Sequence, residues 1–283
     1  MKINTITPDT SPFLKSLCSV AELTKIVYTI GALPTERRPV VAIIGTRKPT
    51  IYGTRVACNF AEALSRHNII VISGLAYGID AAAHRGAVQG GGVSGAVLAH
   101  GLDIIYPSAH TNLADKILAS GGFLLSPYPP GTTVHKYRFL ERNQWLAGLA
   151  DLVLVVEAEQ RSGTHATVRY ALDYGKEVAA IPGPIDSPTS VGPNQLISQG
   201  AHPVSHPNDI LYILGINPRR QSIAIVDNPV INSLKQHGPQ SADDLSSSCH
   251  LSISQLLSQL TKLELDKLIQ RDSSGLWHAI DEI

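Results

Sequence analysis

The sequence predicts an α/β protein: a mostly parallel, doubly wound sheet with helices on both faces, followed by a small C-terminal domain. Two observations predict the sheet. Short apolar runs rich in β-branched residues alternate with amphipathic stretches from Val40 to about Leu214, the signature of parallel strands buried on both sides. Several runs end in glycine-bearing polar turns, at Gly45-Thr-Arg47, Ser73-Gly74 and Ser162-Gly-Thr164. A third observation predicts the second domain. After Pro218-Arg-Arg-Gln-Ser222 the alternation stops, and about 55 residues read helix, helix, helix, hairpin, the outline of a winged helix.

Residues 1–38 read as an N-terminal extension with one helical candidate around Pro12–Ile30. Residues 39–216 form the main domain. Its expected strand–helix pairs are Val40–Ile44 with Gly53–His67, Ile69–Ser73 with Ile79–Val88, and Gly95–Ala99 with Asn112–Ala119. They continue with Gly122–Ser126 and Tyr137–Ala150, Leu152–Glu157 and Thr164–Tyr174, then Glu177–Ile181 and Asn194–Gln199. A short strand near His202–Ser205 and helix Asn208–Leu214 close it. Residues 217–227 read as a linker. In residues 228–283, Asn228–Gln236 is the first helix, and Gly238-Pro239 turns the chain. Ser241 caps the second helix, the third starts at Ser252 or Ser254, and Leu268–Ile280 forms a hairpin about a Ser-Gly turn.

Formal net charge is zero, which excludes indiscriminate polyanion binding by the whole surface but not a local basic pocket. The balance is uneven. Residues 225–283 carry four basic against eight acidic side chains, a net −4, leaving +4 for residues 1–224. Cys18, Cys58 and Cys249 are far apart, with no metal-ligand spacing, so neither a disulfide framework nor a metal site is expected. Without an apolar leader or a run of membrane-spanning length, the chain reads as cytoplasmic and not membrane-bound.

The chemistry is expected beyond the carboxyl ends of the strands. Gly45, Thr46 and Arg47 form the turn after the first strand, where main-chain N–H groups and a helix N-terminus suit phosphate and Arg47 adds a planar fork of donors. The competing reading of Arg47 is a solvated loop residue. Ser73, Gly74, Gly78 and Asp80 form the next turn and line the expected pocket; Asp80 reads equally as a helix cap. His84, one turn further on, reads as a packed or paired histidine ahead of a pocket residue. Between Pro129 and Asn143 lies the densest basic run, His135, Lys136, Arg138 and Arg142, interleaved with Tyr137 and Phe139. Cations beside aromatics suit single-stranded nucleic acid, against a solvated helix face paired with Glu141. Ser162, Gly163 and Thr164 open another helix, with Glu157 upstream as a loop-fixing acceptor ahead of a catalytic role.

These segments come in order with Ala83-His84, Gly101-Leu-Asp103, Tyr106-Pro107, Arg142-Asn143, Glu157-Ala158, Pro182-Gly183 and Gly200-Ala201. Together they resemble the DNA processing protein A (Smf) family over roughly residues 23–214. The resemblance implies an extended Rossmann-like fold, a homodimer, and a cytoplasmic role in natural transformation, binding and protecting incoming single-stranded DNA and helping to place RecA recombinase on it. It implies no cofactor and no enzymatic activity. It implies that Arg47 contacts phosphate from the Gly45-Thr46-Arg47 turn and that Lys136 is a second DNA contact, with Arg142 and Asn143 lining the pocket; Ser162, Gly163 and Thr164, an anion-friendly helix start, complete the expected DNA-binding set. This sequence departs from the family at Gln144, where an arginine is usual, and at Ser126-Pro127, where Ser-Glu is common. The helical domain that often precedes the core is missing or reduced to residues 1–38. The acidic winged helix is expected to contact protein, not duplex.

Two alternatives come from other classes. The sheet also resembles nucleotide phosphoribohydrolases, but Gly163-Thr164 leads into His165-Ala-Thr-Val-Arg169 with no acid where that chemistry needs one. A regulator reading duplex DNA through the winged helix is disfavoured by that domain's negative charge.

Overall fold

The structure, a computed structural model, describes residues 2–20, 26–217, 228–265, 269–272 and 275–279. The chain forms two compact units, Met1–Pro218 and Arg219–Ile283.

The first unit is built on a nine-stranded sheet among the described residues. Its strands are β1 (Asn4–Ile6), β2 (Val27–Gly31), β3 (Val40–Ile44), β4 (Ile70–Ser73), β5 (Ser94–Val97), β6 (Phe123–Ser126), β7 (Leu152–Val155), β8 (Glu177–Ala180) and β9 (His202–Pro203). They lie in the order β1-β2-β6-β5-β4-β3-β7-β8-β9. From β6 to β9 all neighbours are parallel, whereas β1 and β2 run antiparallel at one edge. Helices α1 (Ile51–Arg66), α2 (Ile79–Gln89), α3 (Thr111–Ala119), α4 (Lys136–Leu149), α5 (Thr164–Asp173), α6 (Val191–Ser198) and α7 (Pro207–Ile213) connect the strands.

β3 shows why the apolar runs become central strands. Val40, Ala42 and Ile44 enter one buried cluster while Val41 and Ile43 enter another on the opposite face. Both faces are dry, so every position is apolar, and each such side chain contributes about 1.5–3 kcal/mol on burial.

The N-terminal expectation needs correction. Phe13, Leu14 and Leu17 are spaced as on a helix and are buried, but they sit in and around a 3-10 turn over Lys15–Ser19. No helix runs on to residue 30: Val27–Gly31 is a strand paired with Phe123–Ser126. Residues 4–6 and 27–31 are therefore strands of the sheet itself, β1 at its edge and β2 next to it. Most of the expected linker, residues 218–227, lies outside the described residues.

The second unit contains α8 (Pro229–His237), α9 (Ala242–Cys249), α10 (Ile253–Leu265) and the antiparallel pair β10 (Ile269–Arg271) and β11 (Trp277–Ala279). Ser241 caps α9 by accepting from the Asp244 N–H. Val230, Leu234, Leu245, Leu256, Leu260 and Trp277 form its core. This is the winged-helix outline expected from the sequence.

Candidate nucleic-acid interface

Strand order reverses at β3: successive strands add on one side through β4, β5 and β6, and on the other through β7, β8 and β9. A crevice opens beyond the carboxyl ends at such a point. Here it is a cleft of about 820 Å³, walled by the turns after β3, β4 and β7 and by the start of α4.

The turn after β3 is held by an acid. The Glu157 carboxylate, on a 2% exposed side chain, accepts from the Thr50 N–H at 2.9 Å and the Thr50 hydroxyl at 2.6 Å. Its carbonyl accepts from the Thr46 N–H at 2.7 Å. The Thr50 hydroxyl in turn caps α1 by accepting from the Gly53 N–H. This corrects one expectation: the main-chain donors at Thr46, Thr50 and Gly53 are already satisfied, and an internal carboxylate sits where a phosphate was expected at the start of α1. Glu157 thus fixes the loop. What the turn offers to solvent is Arg47 and Lys48.

The turn after β4 is packed around Arg142, 4% exposed on α4. Its guanidinium donates to the Gly74 carbonyl at 2.7 Å and the Val97 carbonyl at 2.5 Å, tying α4 to the ends of β4 and β5. A Cβ on Gly74 would fall 1.9 Å from that guanidinium, so only glycine permits the approach. Asp80 accepts from the Gly74 and Ala76 N–H groups. Burial pushes its carboxyl above the ordinary range, opposed first by the positive charge of Arg142 and then by those donors. Arg142 is pushed down by its own burial, and Asp80 holds it up. Gly78, at φ +82°, turns the chain into α2 with its α-carbon packed against the Thr46 carbonyl. The hydroxyl of Ser73 is buried and donates to the Ile43 carbonyl. His84 is buried as well, with Nδ1 2.8 Å from the Ser94 hydroxyl.

Of the residues singled out in the sequence, Gly45, Thr46, Arg47, Asp80, Lys136, Arg142, Asn143, Ser162, Gly163 and Thr164 line the cleft together. Ser73, Gly74 and Gly78 are not on its lining; they support it from behind. Asn143 reaches across to the Gly163 carbonyl at 3.5 Å, and the Ser162 hydroxyl accepts from the Thr164 N–H. The basic run does not act as one patch. Lys136 faces the cleft, Arg142 is buried, and Arg138 packs over Tyr128 and Tyr137 while donating to the Thr133 carbonyl.

Phe139, singled out with the basic run, lines the cleft, and with it Lys48, Tyr106 and Arg161, which the sequence did not place in the site. The Arg47 guanidinium lies over the Phe139 ring at 5.0 Å, and Tyr106 lies 6.3 Å from the same ring. The available signal was helical spacing: Lys136, Phe139 and Asn143 recur at i, i+3 and i+7 on one face of α4. The side chains of Arg47, Lys48, Lys136 and Arg161 are exposed and make no hydrogen bond or ion pair among the described residues. Facing them are Asp80, committed to its own turn, and Glu159. The first turn of α5 holds no acid. Among the described residues no cluster of His, Cys, Asp and Glu could hold a metal ion, and no helix is long and apolar enough to cross a membrane.

A family profile described as DNA recombination-mediator protein A matches residues 4–215, and one described as DprA winged helix domain matches residues 225–275. The chain is 38% identical over 251 residues to a putative DNA processing protein DprA of Mycobacterium tuberculosis, covering 84% of this chain and 64% of that protein. It is 41% identical over 206 residues to protein Smf of Escherichia coli, covering 73% of this chain and 55% of the relative. The chain thus spans under two thirds of the length of these two relatives. Among solved structures, DNA processing protein A of Streptococcus pneumoniae is similar at a TM-score of 0.69 and 35% identity, covering 75% of this chain and 74% of that one. The Helicobacter pylori protein, described by its single-stranded DNA binding mode, is similar at a TM-score of 0.66 and 27% identity over 76% of this chain and 96% of that one. On the extent of these matches, the chain belongs to the DNA recombination-mediator protein A family, whose members carry the names DprA and Smf.

Proposed function

We propose that this chain binds single-stranded DNA along the cleft and acts as a recombination mediator in natural transformation, protecting incoming strands and helping to load RecA recombinase. The observation that carries the reading is the gathering of four exposed, unpaired cations on one rim: Arg47, Lys48, Lys136 and Arg161. Cations grip phosphates without regard to sequence, and Phe139 and Tyr106 beside them suit bases that are not enclosed in a duplex. The single-strand binding of the Helicobacter pylori relative points the same way.

In this reading Arg47 and Lys136 contact phosphate, Asn143 and the Ser162–Thr164 turn shape the far wall, and Arg142 is a positioning residue. The chain works as a homodimer in the cytoplasm, without cofactor or catalytic residue. The winged helix contacts protein: the exposed positions of its α10 include Ser254, Leu257, Ser258 and Thr261, with Lys262 as the lone cation. The test is a salt titration of oligonucleotide binding, single strand against duplex. Arg47→Ala and Lys136→Ala are each expected to weaken single-strand binding by about 1–3 kcal/mol. Wild-type affinity in both variants would place the site elsewhere.

A further inference from the structure

A second, smaller depression of about 420 Å³ lies between α1 and α2, lined by Pro49, Thr50, Ile51, Thr54, Arg55, Cys58, Asn59, Ala82 and Arg85. Two guanidiniums, Arg55 and Arg85, face it from different helices; both are exposed and neither makes a hydrogen bond or ion pair among the described residues. No carboxylate lines the groove. Glu62, whose charge acts on Cys58 of the groove, is engaged with Arg66. Two uncompensated arginines converging on one groove make a polyanion subsite, because like charges held together favour any ligand that neutralises both.

Position decides which polyanion. Lys48 lines the main cleft and Pro49 lines the groove, so neighbouring residues of one turn, about 3.8 Å apart at their α-carbons, border both depressions. That turn is the shortest link along the chain between the exposed cations of the cleft and the two arginines of the groove. Ile51, 88% exposed, and Pro49 give that groove an apolar side, suited to the faces of unstacked bases.

We infer that Arg55 and Arg85 form a second phosphate subsite that continues the single-strand track out of the main cleft, over the turn after β3 and onto the α1–α2 face. This rests on the proposed single-strand binding by the cleft. It predicts that affinity keeps rising with oligonucleotide length after the cleft is filled, and that this added affinity belongs to the two arginines.

The test is fluorescence anisotropy on the full chain, with thymidine oligomers of about 6 and about 20 nucleotides, bracketing the range that one such surface covers. The double variant Arg55→Ala, Arg85→Ala should bind the long oligomer at least about fivefold more weakly and bind the short one unchanged. Its salt slope on the long oligomer should fall by about 1.4, the share of two phosphates on a single strand. Arg55→Lys, Arg85→Lys should recover most of the affinity, while Arg47→Ala should weaken both oligomers. Wild-type affinity and slope of the double alanine variant on the long oligomer would overturn the subsite while leaving the cleft intact. Loss on the short oligomer as well would also overturn it, since the arginines would then belong to the primary site. Failure of the wild type to bind either oligomer removes the cleft reading itself.

Discussion

His84 is the clearest case of a residue whose chemistry is set by where the chain puts it. It has no exposed surface, its Nδ1 meets the Ser94 hydroxyl, and Arg142, Arg85 and His110 all bear on it. Burial above all, then the electrostatic influence of His110, Arg142 and Arg85, pushes its pKa from 6.5 down to about 3. The folded value lies below the unfolded one, so the unfolded chain binds the extra proton first as pH falls. The stabilising neutral state is complete above about pH 6.5 and is lost progressively toward pH 3. At pH 4 the penalty should be on the order of 3 kcal/mol from this group. His84→Gln should flatten the fall in urea-unfolding stability between pH 6.5 and 4; an unchanged slope would show that other groups govern acid sensitivity. The sequence, which puts the ring one turn beyond Asp80, was enough to favour a packed histidine. It could not show the Ser94 partner, which arrives from β5 through the parallel pairing of β4 with β5.

At the scale of elements, most strands and helices were legible because their apolar periods are those of fully buried strands and one-sided helices. Val40–Ile44 and Thr164–Asp173 begin at the expected residues. The N-terminal segment was misread because Phe13, Leu14 and Leu17 share a helical spacing that 3-10 turns also satisfy, and this masked the β-branched run Val27–Ile30 that follows. The turn after β3 was half legible. Its glycine and arginine could be read in one dimension, whereas the carboxylate that occupies its amides comes from the end of β7, 107 residues on from Thr50. Glu157→Ala would strip the Thr50 N–H and hydroxyl of their acceptor in a partly buried turn, with an expected cost of about 1–3 kcal/mol in chemical denaturation. It should also weaken DNA binding by loosening Arg47. A variant as stable as wild type would mean that water or another acceptor replaces the carboxylate. The basic run of α4 failed as a unit because its side chains find different partners: Lys136 faces the cleft, Arg138 packs over Tyr128 and Tyr137, and Arg142, although one turn on from Arg138, is buried at the cleft wall against the Gly74 and Val97 carbonyls.

For the whole molecule, zero net charge conceals a separation that binding should reveal. The rim carries Arg47, Lys48, Lys136 and Arg161 in a unit whose sequence is net positive, while residues 225–283 balance at −4. Four phosphate contacts on a single strand imply a log–log salt slope near −3, so raising salt from about 50 to 200 mM should lower affinity by about 50-fold. A slope near zero would show that stacking, not charge, holds the strand. Duplex of equal length should compete poorly for the full chain, because the cleft's aromatics suit bases that are not enclosed in a duplex. The fold class followed from alternation alone and the small domain from its helix–hairpin outline. The convergence of turns from β3, β4 and β7 needed the strand order, which no local pattern encodes.

The acid that closes the turn after β3 also bears on kinetics. Since the start of α1 is neutralised from within, a polynucleotide bound as proposed would meet a turn already braced, with no main-chain rearrangement to await. Capture is then governed by diffusion in the field of the rim, so the association rate, more than the dissociation rate, should track ionic strength.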